Sequence, residues 1–356
     1  MKELMLISDD FRRTERLLHD LRLSLPTTIY DLYDHIPPAN PPVIVLSDIR
    51  ELTSDAVARL KHLLSQAGIG KKPHVFVVYN EGPRTQAYAQ MLGVTTMINA
   101  AAFSTLPRVI ERVVVEAGMV PLSVKKHASR AREFLRDTIM AGVLTPTEVA
   151  NGTEIVATAI STHGIYDWIR VVRDFDDGTH QHILLVAGLA AAFAGTLGMS
   201  ITDRHRLAQA ALLHDVGKIK IPVAILNKPG RLDASEMTVM RTHAIEGYRM
   251  LIGLGFDDAM LGVVRSHHEM LDGSGYPDGL SGNSIPDFVR LITVCDVYGA
   301  LIEERPYREP MAATEAYSIL VGMMGRLDAD LVHAFRPVVI ASAMHANRFG
   351  SPVSSH

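Results

Sequence analysis

The first third of the chain alternates short runs of branched apolar residues with stretches whose apolar positions recur at helical spacing. LMLIS (Leu4–Ser8) reads as a buried strand, followed by an amphipathic helix over Arg12–Leu23. TTIYDLY (Thr27–Tyr33) is a more polar second strand, suited to a sheet edge. VIVLS (Val43–Ser47) and VFVVY (Val75–Tyr79) are buried third and fourth strands, and TTMI (Thr95–Ile98) is a short fifth. Helices are predicted over Ser54–Ser65, over Gln86–Leu92 and from about Leu106. Branched strands alternating with helices predict a parallel sheet covered on both faces. The expectation for residues 1–118 is a doubly wound (βα)5 domain with its binding positions at the carboxyl ends of the strands.

The period then changes. Residues 119–165 are helical and alanine-rich, and VKKHASRAREFLRDTIMAG carries its charges on one face. Such a face is either simply solvated or belongs to a connector or a coiled dimerisation element. Apolar stripes at 3.6 spacing follow, as in ILLVAGLAAAFAGTLG and RLAQAALLHDVG, and predict a helical bundle over 166–345 with inward-facing side chains. Trp168 reads as a core anchor of that bundle. The tail 346–356, ANRFGSPVSSH, has the composition of a flexible terminus. The fold class is thus α/β plus all-α.

Composition narrows the chemistry. With 356 residues the chain has room for two cores, and 47% hydrophobic with 21% charged residues is ordinary for a globular protein. A net charge of −4 gives no global basic field for a nucleic acid polymer or an anionic membrane. No run of 18 apolar residues and no signal-peptide pattern appear, and the single cysteine, Cys295, excludes an intrachain disulfide, so a cytoplasmic protein is expected. Cys295 lies in an apolar run and reads as a small core packer.

Of the 16 histidines, seven fall between His180 and His268. The side chains that stand out are His182, the pair His214-Asp215, His243, the pair His267-His268, and Asp296. Adjacent His-Asp and His-His pairs are costly to bury unless something binds them. Imidazole nitrogens beside carboxylate oxygens suit iron, manganese or zinc. Seven such groups are too many for one ion, so a binuclear centre is the economical reading, with Asp215 as the bridge, because only a carboxylate can give one oxygen to each ion. Lys218 lies one turn from His214 on the same face. His267 and His268 diverge by about 100° if both sit within one helix, so both can be ligands only where the helix ends or where the ions lie between them. Gly217 reads as a helix-ending signal, and Gly273, Gly275 and Gly279 mark a loop of unusual backbone shape.

The segment HHEMLDGSGYPDGLSGNSIP, from His267 to Pro286, resembles the signature of the HD-GYP family of bacterial cyclic di-GMP phosphodiesterases. Gly275, Tyr276 and Pro277 supply the GYP letters, and His214-Asp215 the HD letters. KIKIP, ILNKPG, CDVYGAL and RPYR match in the family's order, over about half of the chain, roughly 165–345. The resemblance implies His182, rather than His180, as the first ligand. It aims Lys218 at the scissile phosphate, lines the nucleotide pocket with Gly275 and Tyr276, and gives Arg305 and Arg308 a phosphate role. It also implies protein contacts through the GYP loop. Where some members carry a glutamate for a third metal this chain has Gly178, so two divalent ions, iron or manganese, are expected. Gly299 stands where the family often has aspartate.

A second resemblance covers the first third. Asp9 and Asp10 end the first strand and Asp48 the third, as in the response-regulator receiver domain, where an acidic pair holds magnesium and a third aspartate is phosphorylated. Its hydroxyl and lysine partners are absent, because this chain has Tyr79-Asn80 and Asn99-Ala100 at those places. The three aspartates form a degenerate receiver pocket or are solvated loop residues. The domain is expected to act through partner docking or homodimerisation.

The function that the first resemblance implies is hydrolysis of cyclic di-GMP to pGpG, with further hydrolysis to GMP left open. The alternatives are a catalytically weak sensor that binds the nucleotide and docks a partner, and a hydrolase of another cyclic dinucleotide.

Overall fold

The computed structural model describes residues 4–15, 27–33, 42–65, 69, 72–139, 141–142, 144–304 and 310–343. They fall into two compact units, Met1–Ser123 and Val124–His356.

In the first unit, β1 (Leu4–Ser8), β2 (Thr27–Asp31), β3 (Ile44–Asp48), β4 (His74–Val78) and β5 (Thr96–Asn99) form one sheet in the order β2-β1-β3-β4-β5. All its pairs are parallel. This is the flavodoxin-like order of doubly wound sheets. Successive side chains of a strand alternate between faces. Leu4, Leu6, Ile44, Leu46, Val75 and Val77 therefore pack with Leu106, Ile110, Val113 and Val114 of the Leu106–Glu116 helix. Met5, Ile7, Val45, Phe76 and Val78 pack with Ala56, Val57, Leu60, Leu63 and Leu64 of the Ser54–Ser65 helix. Burial on both faces is why the inner strands are continuously apolar. Each large side chain so buried contributes about 1.5–3 kcal/mol. β2 is only half-buried along its length, as befits an edge.

Strand ends differ from expectation by a residue or two. β2 stops at Asp31, whose carboxylate accepts the backbone N–H of Tyr33 at 2.8 Å and turns the chain. β3 extends through Asp48, which still pairs with Ser8 and Val77. The helix expected over Gln86–Leu92 begins at Pro83, since proline suits the first helical position. Of the helix expected over Arg12–Leu23, residues 12–15 are helical and the remainder lies outside the described residues.

The second unit is helical. The Gly178–Thr196 helix is its axis, with Gln181 through Ala190 all buried. A helix apolar on every side belongs inside a bundle. Trp168, fully buried on the Ile165–Val172 helix, donates its indole N–H to the Leu184 carbonyl at 2.8 Å. A Cβ at Gly188 would lie 2.4 Å from the indole ring, so the absence of that carbon admits the tryptophan. The Pro146–His163 helix, part of the expected connector, buries Val149, Val156 and Ala159, and its Gly152 sits against the Phe134 ring. Cys295 is buried. No described helix is long and apolar enough to cross a membrane. The expected tail, 346–356, lies outside the described residues.

Candidate metal centre

Five helices and one tight turn of the helical unit deliver the singled-out side chains to one place. His182 lies in the second turn of the axial helix. Ser200 caps the Ile201–Leu213 helix by accepting from Asp203 N–H, and that helix ends at His214. Asp215 follows at φ −102° and ψ 10°, outside helical geometry, and a tight turn over Val216–Lys220 carries Lys218. His243 opens the His243–Leu251 helix. The Asp258–Ser266 helix ends before His267, so His267 and His268 are freed from helical divergence. Asp296 projects from the Asp287–Ile302 helix.

Gly217 has a role different from the one expected. It does not adopt a left-handed conformation; a Cβ there would instead fall 1.9 Å from the His243 carbonyl oxygen and 2.4 Å from the Gly247 nitrogen. The glycine lets the HD turn touch the backbone of the His243 helix, and so brings Asp215 and His243 together.

The ligand atoms fall into two groups, Asp215–His243–His267–His268 and His182–His214–Asp296, each within 4.8 Å internally. Asp215 joins them. Its Oδ2 lies 3.3 Å from His214 Nε2 and 3.5 Å from His182 Nε2, while its Oδ1 lies 3.3 Å from His243 Nε2 and 3.8 Å from His267 Nε2. Asp296 Oδ1 is 3.0 Å from His182 Nε2, and its Oδ2 is 3.6 Å from His268 Nδ1.

The protons of this cluster show what it lacks. The Nδ1 atoms of His214, His243 and His267 contact the carbonyls of Ala211, Met240 and Val264 at 2.6, 2.8 and 3.1 Å. Carbonyls only accept, so each Nδ1 carries the hydrogen, and a neutral ring then presents its Nε2 lone pair inward. Burial drives the pKa of His243 down and that of His267 well down; it lowers His268 to about 4. Nε2 atoms nevertheless face each other at 3.2 Å between His243 and His267. Two lone pairs at that distance repel unless a cation lies between or beside them. Asp215 Oδ1, fully buried, has no hydrogen-bond partner among the described residues. Burial alone would raise Asp215, yet Lys218, His214 and His243 hold it well below the usual carboxylate range. Neutral imidazoles and ionised carboxylates converging without enough protons are a donor set for divalent cations.

Burial would depress His182, but Asp296 and Glu303 lift it to about 10. Lys218 Nζ donates to Asp215 Oδ2 at 2.5 Å. Burial works against its charge, and Asp215, Asp296 and Glu303 more than restore it.

The GYP loop sits beside this centre. The Tyr276 ring lies 4.7 Å from that of His268 and has the Arg241 guanidinium 4.9 Å from its centroid. Gly273 and Gly279 have φ of 77° and 66°, the left-handed region expected of them. Gly275 instead answers a close approach, since its Cβ would lie 2.4 Å from Glu269 Cα. Glu269 itself is almost fully buried and accepts the backbone N–H groups of Asp278, Gly279 and Leu280 at 2.7, 3.0 and 3.0 Å, which pins the loop.

Residues 166–331 match the family described as HD domain. The helical unit is an HD domain of the HD-GYP family. Curated relatives include the cyclic di-GMP phosphodiesterase response regulator RpfG of Xanthomonas campestris pv. campestris, 40% identical over 160 residues, 44% of this chain and 42% of that protein. A cyclic di-GMP phosphodiesterase of Pseudomonas aeruginosa is 30% identical over 266 residues, 68% of this chain and 64% of its own. A 3'3'-cGAMP-specific phosphodiesterase of Vibrio cholerae is 40% identical over 142 residues, 40% of this chain and 31% of its own. The chain thus spans less than two thirds of each of these relatives. Among solved structures, an HD-GYP-type protein from Bdellovibrio bacteriovorus shares the fold at 18% identity and a TM-score of 0.50, over 62% of this chain and 71% of that one.

Within the HD domain, three residues that the sequence reading kept out of the ligand set lie apart from the two groups. His180 faces Asp177 at 3.3 Å and does not join either ligand group. Gly178 opens the axial helix with nothing within 4 Å of a built Cβ. Gly299 is buried, its built Cβ only 3.0 Å from Val186 Cγ2, so it serves close packing of two helices. Arg305 and Arg308 lie outside the described residues. Glu269, Glu303 and Arg241 were not singled out from sequence; the one local signal was Glu269's place directly after the His-His pair.

The acidic residues of the first unit separate. Asp48 is fully buried: its Oδ1 accepts from the Tyr79 hydroxyl at 2.7 Å, and its Oδ2 accepts from Thr14 Oγ1 at 2.9 Å and Arg13 at 3.2 Å. Arg13 also donates to Asp9 Oδ1 at 2.7 Å, and Asp9 Oδ2 accepts the Arg50 N–H at 2.9 Å. Asp48 is therefore not a solvated loop residue. Asp10 is exposed and caps the following turn by accepting Arg13 N–H at 3.0 Å. Arg13, missed from sequence, takes the position between Asp9 and Asp48 where a cation would be needed.

Proposed function

We propose that this chain is a metal-dependent phosphodiesterase that hydrolyses cyclic di-GMP to linear pGpG, with further hydrolysis to GMP left open. The observation that carries the reading is Asp215, whose two oxygens face two separate His/carboxylate groups while Lys218 sits on one of them. Names of the relatives support the substrate class. His182, His214, Asp296 and one oxygen of Asp215 would hold one ion, and His243, His267, His268 and the other oxygen a second. Iron or manganese fits this mixed nitrogen and oxygen set. Bound ions supply an activated water and offset charge on phosphoryl oxygens. Lys218, kept charged by its carboxylate neighbours, adds a positive group where negative charge grows as the bond from phosphorus to the ribose 3′ oxygen breaks. Tyr276, backed by His268, offers an aromatic face at the rim, and Arg241 a guanidinium beside it. Arg305 and Arg308 supply further phosphate contacts by resemblance.

A second reading, hydrolysis of 3′3′-cGAMP, rests on the similarity to the Vibrio cholerae relative specific for that nucleotide. The experiment is anaerobic purification with elemental analysis, followed by turnover of cyclic di-GMP, 3′3′-cGAMP and cyclic di-AMP. Two ions per chain and fastest loss of cyclic di-GMP are expected. Two ions with binding but no turnover would replace the enzyme by a sensor.

The sheet unit is, in this reading, a receiver-like module that regulates by docking or dimerisation rather than by phosphorylation. Its strand order and the position of Asp48 support the likeness. Arg13 bound to Asp9 and Asp48 supplies internally the charge that magnesium would bring, and both Asp48 oxygens are engaged. A modified state with no new contacts shifts no population. Acetyl phosphate or beryllofluoride with magnesium is therefore expected to leave sedimentation and turnover unchanged; an Asp48-dependent change in either would contradict it.

A further inference from the structure

Four buried histidines aim Nε2 into the centre, and three of them give Nδ1–H to a backbone carbonyl. His182 is different. Its Nδ1 lies 2.8 Å from Oε2 of Glu303, a carboxylate that is itself only 4% exposed. Glu303 belongs to neither ligand group. Its backbone is fixed from three sides. Its own N–H donates to the Gly299 carbonyl at 3.0 Å, closing the Asp287–Ile302 helix. Arg173 Nε donates to the Ile302 carbonyl at 3.0 Å. The Glu304 N–H donates to Gln181 Oε1 at 2.9 Å, and Gln181 is the neighbour of His182 on the axial helix. Glu304 is thus tied directly to the segment that presents His182, and Ile302 to Arg173, whose carbonyl in turn accepts from Gln181 Nε2 at 3.1 Å, so both neighbours of Glu303 are anchored.

A carboxylate behind an imidazole does two things that a carbonyl does less well. It fixes the tautomer with Nε2 free for the metal, and it adds negative charge that raises the ring's basicity as a ligand. The two halves of the centre also differ in charge. Around His182 and His214 stand Asp296, Glu303 and the shared Asp215. In the other half, His243 and His267 face the shared Asp215 and are backed by carbonyls, and His268 faces Asp296 at 3.6 Å, so among the described residues no buried carboxylate stands behind a ring as Glu303 does behind His182.

We infer that Glu303 is a positioning residue that acts through His182 and makes the centre unequal, so that the His182–His214–Asp296 half takes its ion ahead of the other. The inference rests on the metal reading above and adds to it an order of filling and the residue that sets it.

The test is titration of the chelator-stripped full chain with Mn2+, with free and bound ion measured by electron paramagnetic resonance and by equilibrium dialysis with elemental analysis. The wild-type chain is expected to show two affinities. Glu303→Ala should weaken the tighter one by about 10–100-fold and leave the weaker one in place. Glu303→Gln keeps an acceptor oxygen for Nδ1–H but no charge, so it should recover part of that loss. His243→Ala should show the reverse pattern, with the tighter ion retained. Equal weakening of both ions in Glu303→Ala would mean that Glu303 serves the fold and not His182, and would overturn the inference, as would unchanged affinities in that variant. A wild-type chain that takes up no Mn2+ would instead overturn the metal reading itself, and this inference with it.

Discussion

Asp215→Ala is expected to lose both ions and all measurable phosphodiesterase activity, the largest effect of any single substitution in this chain. Each carboxylate oxygen faces a different pair of histidines, so removing the side chain withdraws a donor from both ligand groups at once. Imidazoles carry no negative charge, so without Asp215 only Asp296 among the candidate ligands would offset two divalent ions. The substitution also strips Lys218 of its 2.5 Å partner. Leaving one member of a buried ion pair unpaired costs about 3–5 kcal/mol, so the alanine variant needs a companion. Asp215→Asn keeps shape and one acceptor oxygen while removing the charge. Elemental analysis and a thermal melt of both variants separate the effects. Metal loss in a folded Asp215→Asn protein is the expected result, and full metal content with normal turnover would remove the HD pair from the mechanism.

Lys218→Ala is expected to keep both ions and to slow turnover about 10²–10³-fold, equivalent to roughly 3 kcal/mol of lost charge stabilisation. The lysine is no member of either ligand group, and its ammonium lies on the carboxylate that joins them. Its loss also lowers the positive charge near Asp215, which favours retention of the ions. The discriminating measurement pairs metal content with single-turnover rates at saturating nucleotide. A drop in the chemical step with unchanged metal supports a role at the phosphoryl group. A variant that loses metal in proportion to activity would make Lys218 a support for Asp215 instead.

The sheet was legible because its signals are local. Branched runs such as VFVVY are continuous only where both faces are covered, as they are in β4. The candidate ligand positions stood out for a related reason. Histidine and aspartate inside apolar stripes, as at His214-Asp215 and Asp296, are anomalies that each stretch of sequence displays by itself. Local patterns misled where a residue had more than one physical use. Gly217 looks like a helix stop and is a point of contact with the His243 backbone.

By itself, then, the sequence determined the period of each segment, the order of sheet and bundle, and which side-chain types could meet a metal, because these depend on neighbours within a turn or a strand. Tertiary structure alone decided which of those side chains meet. Glu303 reaches His182 across 121 residues, Arg13 reaches Asp48 across 35, and Glu269 gathers three loop amides that no spacing rule links to it. Contacts between distant segments are fixed by packing of whole helices and strands. An ordinary glutamate or arginine therefore carries no sign in sequence of the partner that gives it a role.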